Sequence, residues 1–251
     1  MKPRVDVRRV DGLLTHALVY GAGEPLVIVP GIGCAAYAYR KLAVHLSRHF
    51  EVWCYDPPGH GRSEARAFDH ITISRLSDHL RAWLDAANLN RPVIVGHSLG
   101  GEVAIDLAGR FPDALGRLVL LAPTGVPENP SVPLQLARLM LDAWIERPTL
   151  LSRLLPAYVR CGPLRIALIA EDQRVHETEP QLVAIRAPVL VMAGTFDVVI
   201  SSHAIRTLCA FVPDVRSKKV PGPHAFWYSR VRIVTREIVS FVHDAAPSPT
   251  S

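Results

Sequence analysis

The sequence predicts an α/β fold: a mainly parallel eight-stranded sheet with helices on both faces and a small helical cap. Three observations predict it. Short, continuously apolar runs alternate with segments whose apolar residues recur at helical spacing. Those runs lack the in–out alternation of a sheet wetted on one face, so they suit strands buried on both sides. One long stretch, 125–185, interrupts the rhythm and contains no evident strand.

The elements follow in order. Asp11-Gly12 lies between the β-prone runs Val5–Val10 and Leu13–Val19 and reads as a hairpin turn. Pro25–Val29 is a short buried strand, Tyr39–Ser47 a helix and Glu51–Tyr55 a strand. Across Thr72–Ala87, Leu76, Leu80, Trp83, Leu84 and Ala87 share one helical face. Pro92–Val95 is a strand and Leu99–Phe111 a helix stopped by Pro112. Leu118–Leu121 and Val189–Ala193 are further strands, followed by a helix at Ser202–Cys209 and a strand at Ser217–Val220. A closing helix runs over Tyr228–His243, with Val231, Val234, Ile238 and Phe241 toward the core. Strands alternating with helices imply parallel pairing through right-handed crossovers.

The domain reading is therefore a core of 1–124 and 186–244, with a helical insertion at 125–185. In that insertion, leucines, Met140 and Trp144 recur at helical spacing between Pro133, Pro148, Pro156, Pro163 and Pro180. The polar, Pro/Ser-rich tail at 245–251 is expected to be disordered.

Bulk composition narrows the function classes. With 251 residues, 49% hydrophobic and 20% charged, the chain is that of an ordinary globule large enough for a substantial core. No apolar run reaches the ~18 residues that would span a bilayer, and no membrane partner is expected. The start, Met1 to Asp6, has no apolar segment behind it, so a secretory signal is not expected and the cytoplasm is the expected location. The net charge is +5, but the basic residues are scattered, with no run resembling a nucleic-acid patch. Cys34, Cys54, Cys161 and Cys209 are too dispersed for a metal-ligand spacing, and no disulfide is expected. Nothing separates monomer from homodimer.

The chemistry centres on Gly96-His97-Ser98-Leu99-Gly100, which joins a strand to a helix. A serine on so tight a turn projects its hydroxyl above the sheet, and the flanking glycines remove side chains that would collide there. The helix that begins at once aims amide N–H groups and a positive dipole end at the hydroxyl. The competing role for Ser98, a simple helix cap, does not call for glycine on both sides.

Four segments, in order, resemble the α/β-hydrolase superfamily along nearly the whole chain outside the cap. They are Pro30-Gly31-Ile32-Gly33, the loop from Asp56 to Ser63, the serine turn, and Ile185 to Asp197. The resemblance implies that His224, in Pro221-Gly222-Pro223-His224, is the general base that a serine nucleophile needs. His97, beside the serine, is expected to be structural. Asp197, just after a strand and Gly194, is the expected orienting carboxylate, and the order Ser98, Asp197, His224 suits this fold. Some family members carry that acid one strand earlier; here that strand runs into Ala122-Pro123-Thr124, with no carboxylate before Glu128.

The oxyanion donors implied by the resemblance are the backbone amides of Leu99 and Ile32. The family usually has histidine before the first glycine of that loop, where this chain has Pro30. Asp56 to Ser63 lacks the lysine and Ser/Thr of a phosphate-binding loop and reads as a structural turn beside the site.

Pocket candidates are Gly31, Gly33, Cys34, Met140, Trp144, Phe226 and Trp227. For Cys34, Met140, Trp144, Phe226 and Trp227, packing is the open alternative. The expected substrate is a small molecule with an apolar acyl or aromatic part, and neither metal nor organic cofactor is required. Hydrolysis of a carboxylic ester or thioester through an acyl-enzyme leads. Carbon–carbon bond hydrolysis, acyl transfer and cofactor-free perhydrolysis would use the same three residues, and a non-catalytic ligand receptor on this fold is the rival from another class. Dehalogenase and epoxide hydrolase chemistry is disfavoured, because those relatives carry aspartate where this chain has Ser98.

Overall fold

Strands β1 (Arg4–Val10) and β2 (Leu13–Tyr20) form the expected hairpin. Asp11 and Gly12 both have positive φ, 50° and 80°, as two-residue hairpin loops of this kind require. The computed structural model describes residues 1–66, 71–125 and 131–244. The tail at 245–251 and the stretch 126–130 of the expected insertion lie outside the described residues.

The chain continues through β3 (Pro25–Val29), a 3₁₀ turn (Ala36–Tyr39), α1 (Arg40–Leu46), β4 (Glu51–Tyr55) and α2 (Ile73–Ala86). Then come β5 (Val93–His97), α3 (Leu99–Arg110) and β6 (Arg117–Leu121). Four helices follow: α4 (Val132–Ile145), α5 (Pro148–Cys161), α6 (Pro163–Val175) and α7 (Glu179–Ala184). The remainder is β7 (Val189–Gly194), α8 (Ser202–Phe211), β8 (Val215–Val220), α9 (Phe226–Ser229) and α10 (Val231–His243).

The strands form one eight-stranded sheet in the order β1-β2-β4-β3-β5-β6-β7-β8. Pairing is antiparallel from β1 to β2 and from β2 to β4, and parallel everywhere else. Alternate residues of the central strands feed two separate cores, which is why the strands read as unbroken apolar runs. Val27, Val29, Ile94, Leu118 and Leu120 pack with Leu80 and Trp83 of α2 and with Val103 and Leu107 of α3. Leu26, Ile28, Val95, Val119 and Leu121 pack on the opposite face with Leu42 and Leu46 of α1 and Ile238 and Phe241 of α10. The outer strand β8 exposes Lys218 and Lys219, which discourage further strand pairing.

Two helices differ from expectation. The one expected over Tyr39–Ser47 begins as the 3₁₀ turn before becoming α1. The closing helix breaks at Arg230, leaving α9 as a separate turn. Phe226, Trp227 and Tyr228 are all buried, and three successive residues cannot share one stripe of a regular helix.

The segment between β6 and β7 contains no strand among its described residues. Its helices are tied to the core by polar contacts. Gln173 Nε2 donates to Glu102 Oε2 (2.9 Å) and Thr124 Oγ1 (2.6 Å), and Asp172 Oδ2 accepts from the Ile73 amide at the start of α2 (2.7 Å). α7 lies along α3, where Gly109 backs directly onto Gln181. No helix among the described residues is long and apolar enough to cross a membrane.

Candidate active site

Ser98 sits where β5 becomes α3, with φ 52° and ψ −121°. Such a backbone costs of order 1–3 kcal/mol for a non-glycine residue and persists only when its surroundings dictate it. They do so here. The Ser98 amide donates to Leu121 O (3.1 Å), and its carbonyl accepts from the amides of Gly101 (2.8 Å) and Thr124 (3.2 Å). A β-carbon at Gly96 would collide with the Gly100 carbonyl, and one at Gly100 with the carbonyls of Val29 and Pro30. Both glycines are therefore steric requirements of the turn. Ser98 is 6% exposed.

His224 lies in the loop after β8, and Asp197 in the loop after β7. His224 Nδ1 and Asp197 Oδ2 are 2.9 Å apart, while Asp197 Oδ1 accepts from the amides of Val199 (2.8 Å) and Ile200 (2.9 Å). Those bonds hold the carboxylate and place the imidazole proton on Nδ1, leaving Nε2 bare. Nε2 is buried and has no hydrogen-bond partner, so the Ser98 hydroxyl is not bonded to it in this state. Catalytic hydrogen bonds are often long before substrate binds. Burial opposes charge on His224, but Asp197, Asp142 and Glu146 outweigh it and raise the pKa above its ordinary value.

His97 precedes Ser98 and packs against His224, with ring centroids 4.9 Å apart. Tyr39 Oη is hydrogen-bonded to His97 Nδ1 (2.7 Å) and accepts from the Gly31 amide (2.9 Å). Burial, reinforced by the charge of His224, pushes the His97 pKa well down, so this ring stays neutral. The Gly31 amide is thereby engaged, whereas the Ile32 amide meets no acceptor among the described residues. Leu99 opens α3, so its amide has no carbonyl four residues back to bond.

Asp56 anchors the neighbouring loops. Its carboxylate accepts from the amides of Ala36 (2.6 Å) and Arg62 (3.0 Å) and contacts His16 Nδ1 (2.9 Å). The turn from Asp56 to Ser63 is thus a brace for the 31–36 loop.

A cavity of about 270 Å³ opens between the loops at the strand ends and helices α4, α5 and α6. Ile32, His97, His224 and Trp227 form its floor, and Leu139, Leu150, Leu154 and Tyr158 are among its roof. Among the pocket candidates named from sequence, Cys34, Met140 and Trp227 line it. Burial pushes the Cys34 thiol up to about 12, so it remains protonated. Met140 is 69% exposed and marks the rim. Gly31 lies behind the lining, against His97 and Ser98, and Gly33 abuts Tyr158 and Ile166, which do line the cavity.

Two candidates are corrected. Trp144 is 88% exposed and does not line the cavity, because it falls beyond the stripe of α4 that carries Leu136, Leu139, Met140 and Ala143. Phe226 has no exposure at all and belongs to the core beneath α1 and α10.

Two acids that the sequence did not single out belong to the site. Asp142 Oδ1 accepts from the His224 amide (3.2 Å), and Glu146 Oε1 accepts from the Ala225 amide (2.7 Å). Both are buried and line the cavity. Asp142 follows Leu139 by three residues and so shares its face of α4, whereas Glu146 lies past the helix end, where helical spacing gives no signal. Among the described residues, no group of three or more His, Cys, Asp or Glu is arranged to hold a metal.

Comparison with known proteins agrees with this architecture. An uncharacterized protein of Mycobacterium tuberculosis is 30% identical over 160 residues, covering 64% of this chain and 47% of that protein. The 2-hydroxy-6-oxo-2,4-heptadienoate hydrolase of Pseudomonas putida is 36% identical over 118 residues, covering 46% of this chain and 43% of that protein. The chain thus spans about half the length of these curated relatives. The crystal structure of the enol-lactonase from Burkholderia xenovorans LB400 shares the fold, with a TM-score of 0.85, 22% identity, and coverage of 95% of this chain and 100% of that one. Residues 24–157 match the model of the alpha/beta hydrolase fold, and the chain belongs to that family.

Proposed function

We propose that the chain is a serine hydrolase that cleaves a carboxylic ester or thioester through an acyl-enzyme. Ser98 Oγ attacks the carbonyl carbon while His224 Nε2 takes the hydroxyl proton. Asp197 stabilises the resulting imidazolium. The amides of Leu99 and Ile32 hold the oxyanion; losing one such donor typically costs ~100- to 1,000-fold in rate. Collapse of the tetrahedral intermediate expels the alcohol or thiol, which receives the proton from His224. Water then attacks the acyl-enzyme with His224 again as base, releasing the acid and restoring Ser98.

The observation that carries this reading is the state of His224. Its Nδ1 is committed to Asp197, and its buried Nε2 is left without a partner, on a ring packed against the residue preceding Ser98. A fluorophosphonate probe tests it. Wild type should be labelled and should hydrolyse short aryl esters, and Ser98→Ala should do neither. A folded wild type that resists the probe and turns over no ester would favour the receptor.

Carbon–carbon bond hydrolysis is the second reading, favoured by the Pseudomonas putida relative. A 2-hydroxy-6-oxodienoate contains no ester, so its hydrolysis must break a carbon–carbon bond. Assaying a dienoate of that type beside the aryl esters separates the two readings.

A further inference from the structure

The cavity next to His224 has an unusual charge pattern for an apolar pocket. Asp142, in the last turn of α4, and Glu146, the residue that caps its C-terminus, both enter its wall. Each uses one oxygen to accept a backbone amide of the 224–225 loop. Glu146 Oε2 is buried and unpartnered, on a side chain belonging to a residue only 7% exposed. No lysine or arginine lines the cavity among the described residues, and His97 is held neutral. The other roof side chains are mainly leucines, which give a charged ligand group nothing in return for its lost water.

We propose that Asp142 and Glu146 are specificity-determining residues of this site, whose negative charge admits uncharged or cationic substrate groups and turns away carboxylates. The proposal deepens the hydrolase reading and rests on it for the identity of the reacting end.

The charge state of the pair supports it. Burial, together with the nearby Asp142, pushes Glu146 up to about 7, and burial raises Asp142 as well. Near neutrality Glu146 therefore holds a proton for part of the time and carries a negative charge for the rest. That charge is partly answered by His224, whose amide and ring both face the pair. A substrate carboxylate entering the same space would meet a like charge that His224 offsets only in part. A substrate ammonium would meet an opposite one.

Three phenyl esters matched in acyl length test this: phenyl pentanoate, monophenyl glutarate and the phenyl ester of a trimethylammonio butyrate. A second series carries the same three charges on the alcohol side. In at least one series, wild type should disfavour the carboxylate ester in kcat/KM by about 30-fold, as expected of one like charge ~8 Å away in a half-screened site. The ammonium ester should remain within about threefold of the neutral one. The double variant Asp142→Asn, Glu146→Gln should bring the carboxylate and ammonium esters within about threefold of each other.

Equal turnover of all three charges in both series overturns the proposal. So does rejection of the ammonium ester as strong as that of the carboxylate, which would mean that apolarity alone selects. Titration calorimetry of the same esters with Ser98→Ala provides an independent readout. If wild type turns over no ester and resists the fluorophosphonate, the hydrolase reading fails while the binding series still decides the charge preference.

Discussion

The Tyr39 hydroxyl bridges His97 and the loop that carries Ile32: it is hydrogen-bonded to His97 Nδ1 at 2.7 Å and accepts from the Gly31 amide at 2.9 Å. Tyr39 is fully buried, and its ring stacks on Trp227 with centroids 4.3 Å apart. One phenol thus couples the residue before the serine, the proposed oxyanion loop and a wall of the cavity. Tyr39 drew no notice in the sequence because tyrosine in an apolar run reads as core, which by its ring it is.

Tyr39→Phe keeps that packing and deletes the bridge. Two buried polar groups, the Gly31 amide and His97 Nδ1, would then lose their partner. Each such loss costs about 1–3 kcal/mol, less any water that enters. The expected outcome is a destabilisation of roughly 2 kcal/mol in urea unfolding and a lower kcat from a loosened 31–33 loop. Unchanged stability and unchanged kcat together would show that the bridge orders nothing.

Much of the architecture was legible in the chain. Buried strands announced themselves as apolar runs because the sheet is covered on both faces, and Asp11-Gly12 marked the hairpin because few residues tolerate positive φ. The strand-to-helix serine was legible for the same steric reason. The roof was not. Leucines on α4 and α5 face the cavity, the core or solvent at similar spacing, and only packing decides among them. Trp144 reads as a pocket candidate on that account, and for Phe226 the packing alternative is the one the structure shows. Asp142 and Glu146 were overlooked because their partners are backbone amides about 80 residues away, which no local pattern records.

The His224–Asp197 pair sets a pH dependence. A base must be neutral to take the Ser98 proton, and a pKa above the ordinary 6.5 keeps His224 protonated to higher pH. The acid limb of kcat/KM for a neutral ester should therefore have its midpoint above 6.5, with activity rising as pH rises through it. Asp197→Asn removes both the charge that raises the pKa and the acceptor that selects the tautomer. It should lower kcat by about 10⁴ with far less effect on KM. A midpoint below 6.5 in wild type, or a kcat loss under tenfold in the variant, would remove Asp197 from its assigned role.

His176 offers a separate test, of how the helices between β6 and β7 are held. It follows α6 and contacts Glu102 Oε1 through Nδ1 and Asp106 Oδ2 through Nε2, each at 3.2 Å. Both acids lie on α3, the helix that Ser98 precedes. Burial opposes charge on this imidazole, but the Asp106 and Glu102 carboxylates outweigh it and lift the pKa to about 9. Below about 6.5 the ring is protonated in both folded and unfolded chains, so the full stabilisation is present. As pH rises through about 9 the folded protein loses that proton, and the stabilisation goes with it. Urea unfolding should therefore show a stability loss on the order of 1–2 kcal/mol between neutral and strongly alkaline pH, allowing for solvent screening of a partly buried pair. His176→Gln should be less stable than wild type at pH 7 and should lack this part of the alkaline decline. If wild type and variant lose stability in parallel across that range, the contacts to Glu102 and Asp106 hold α6 against α3 without the imidazolium charge.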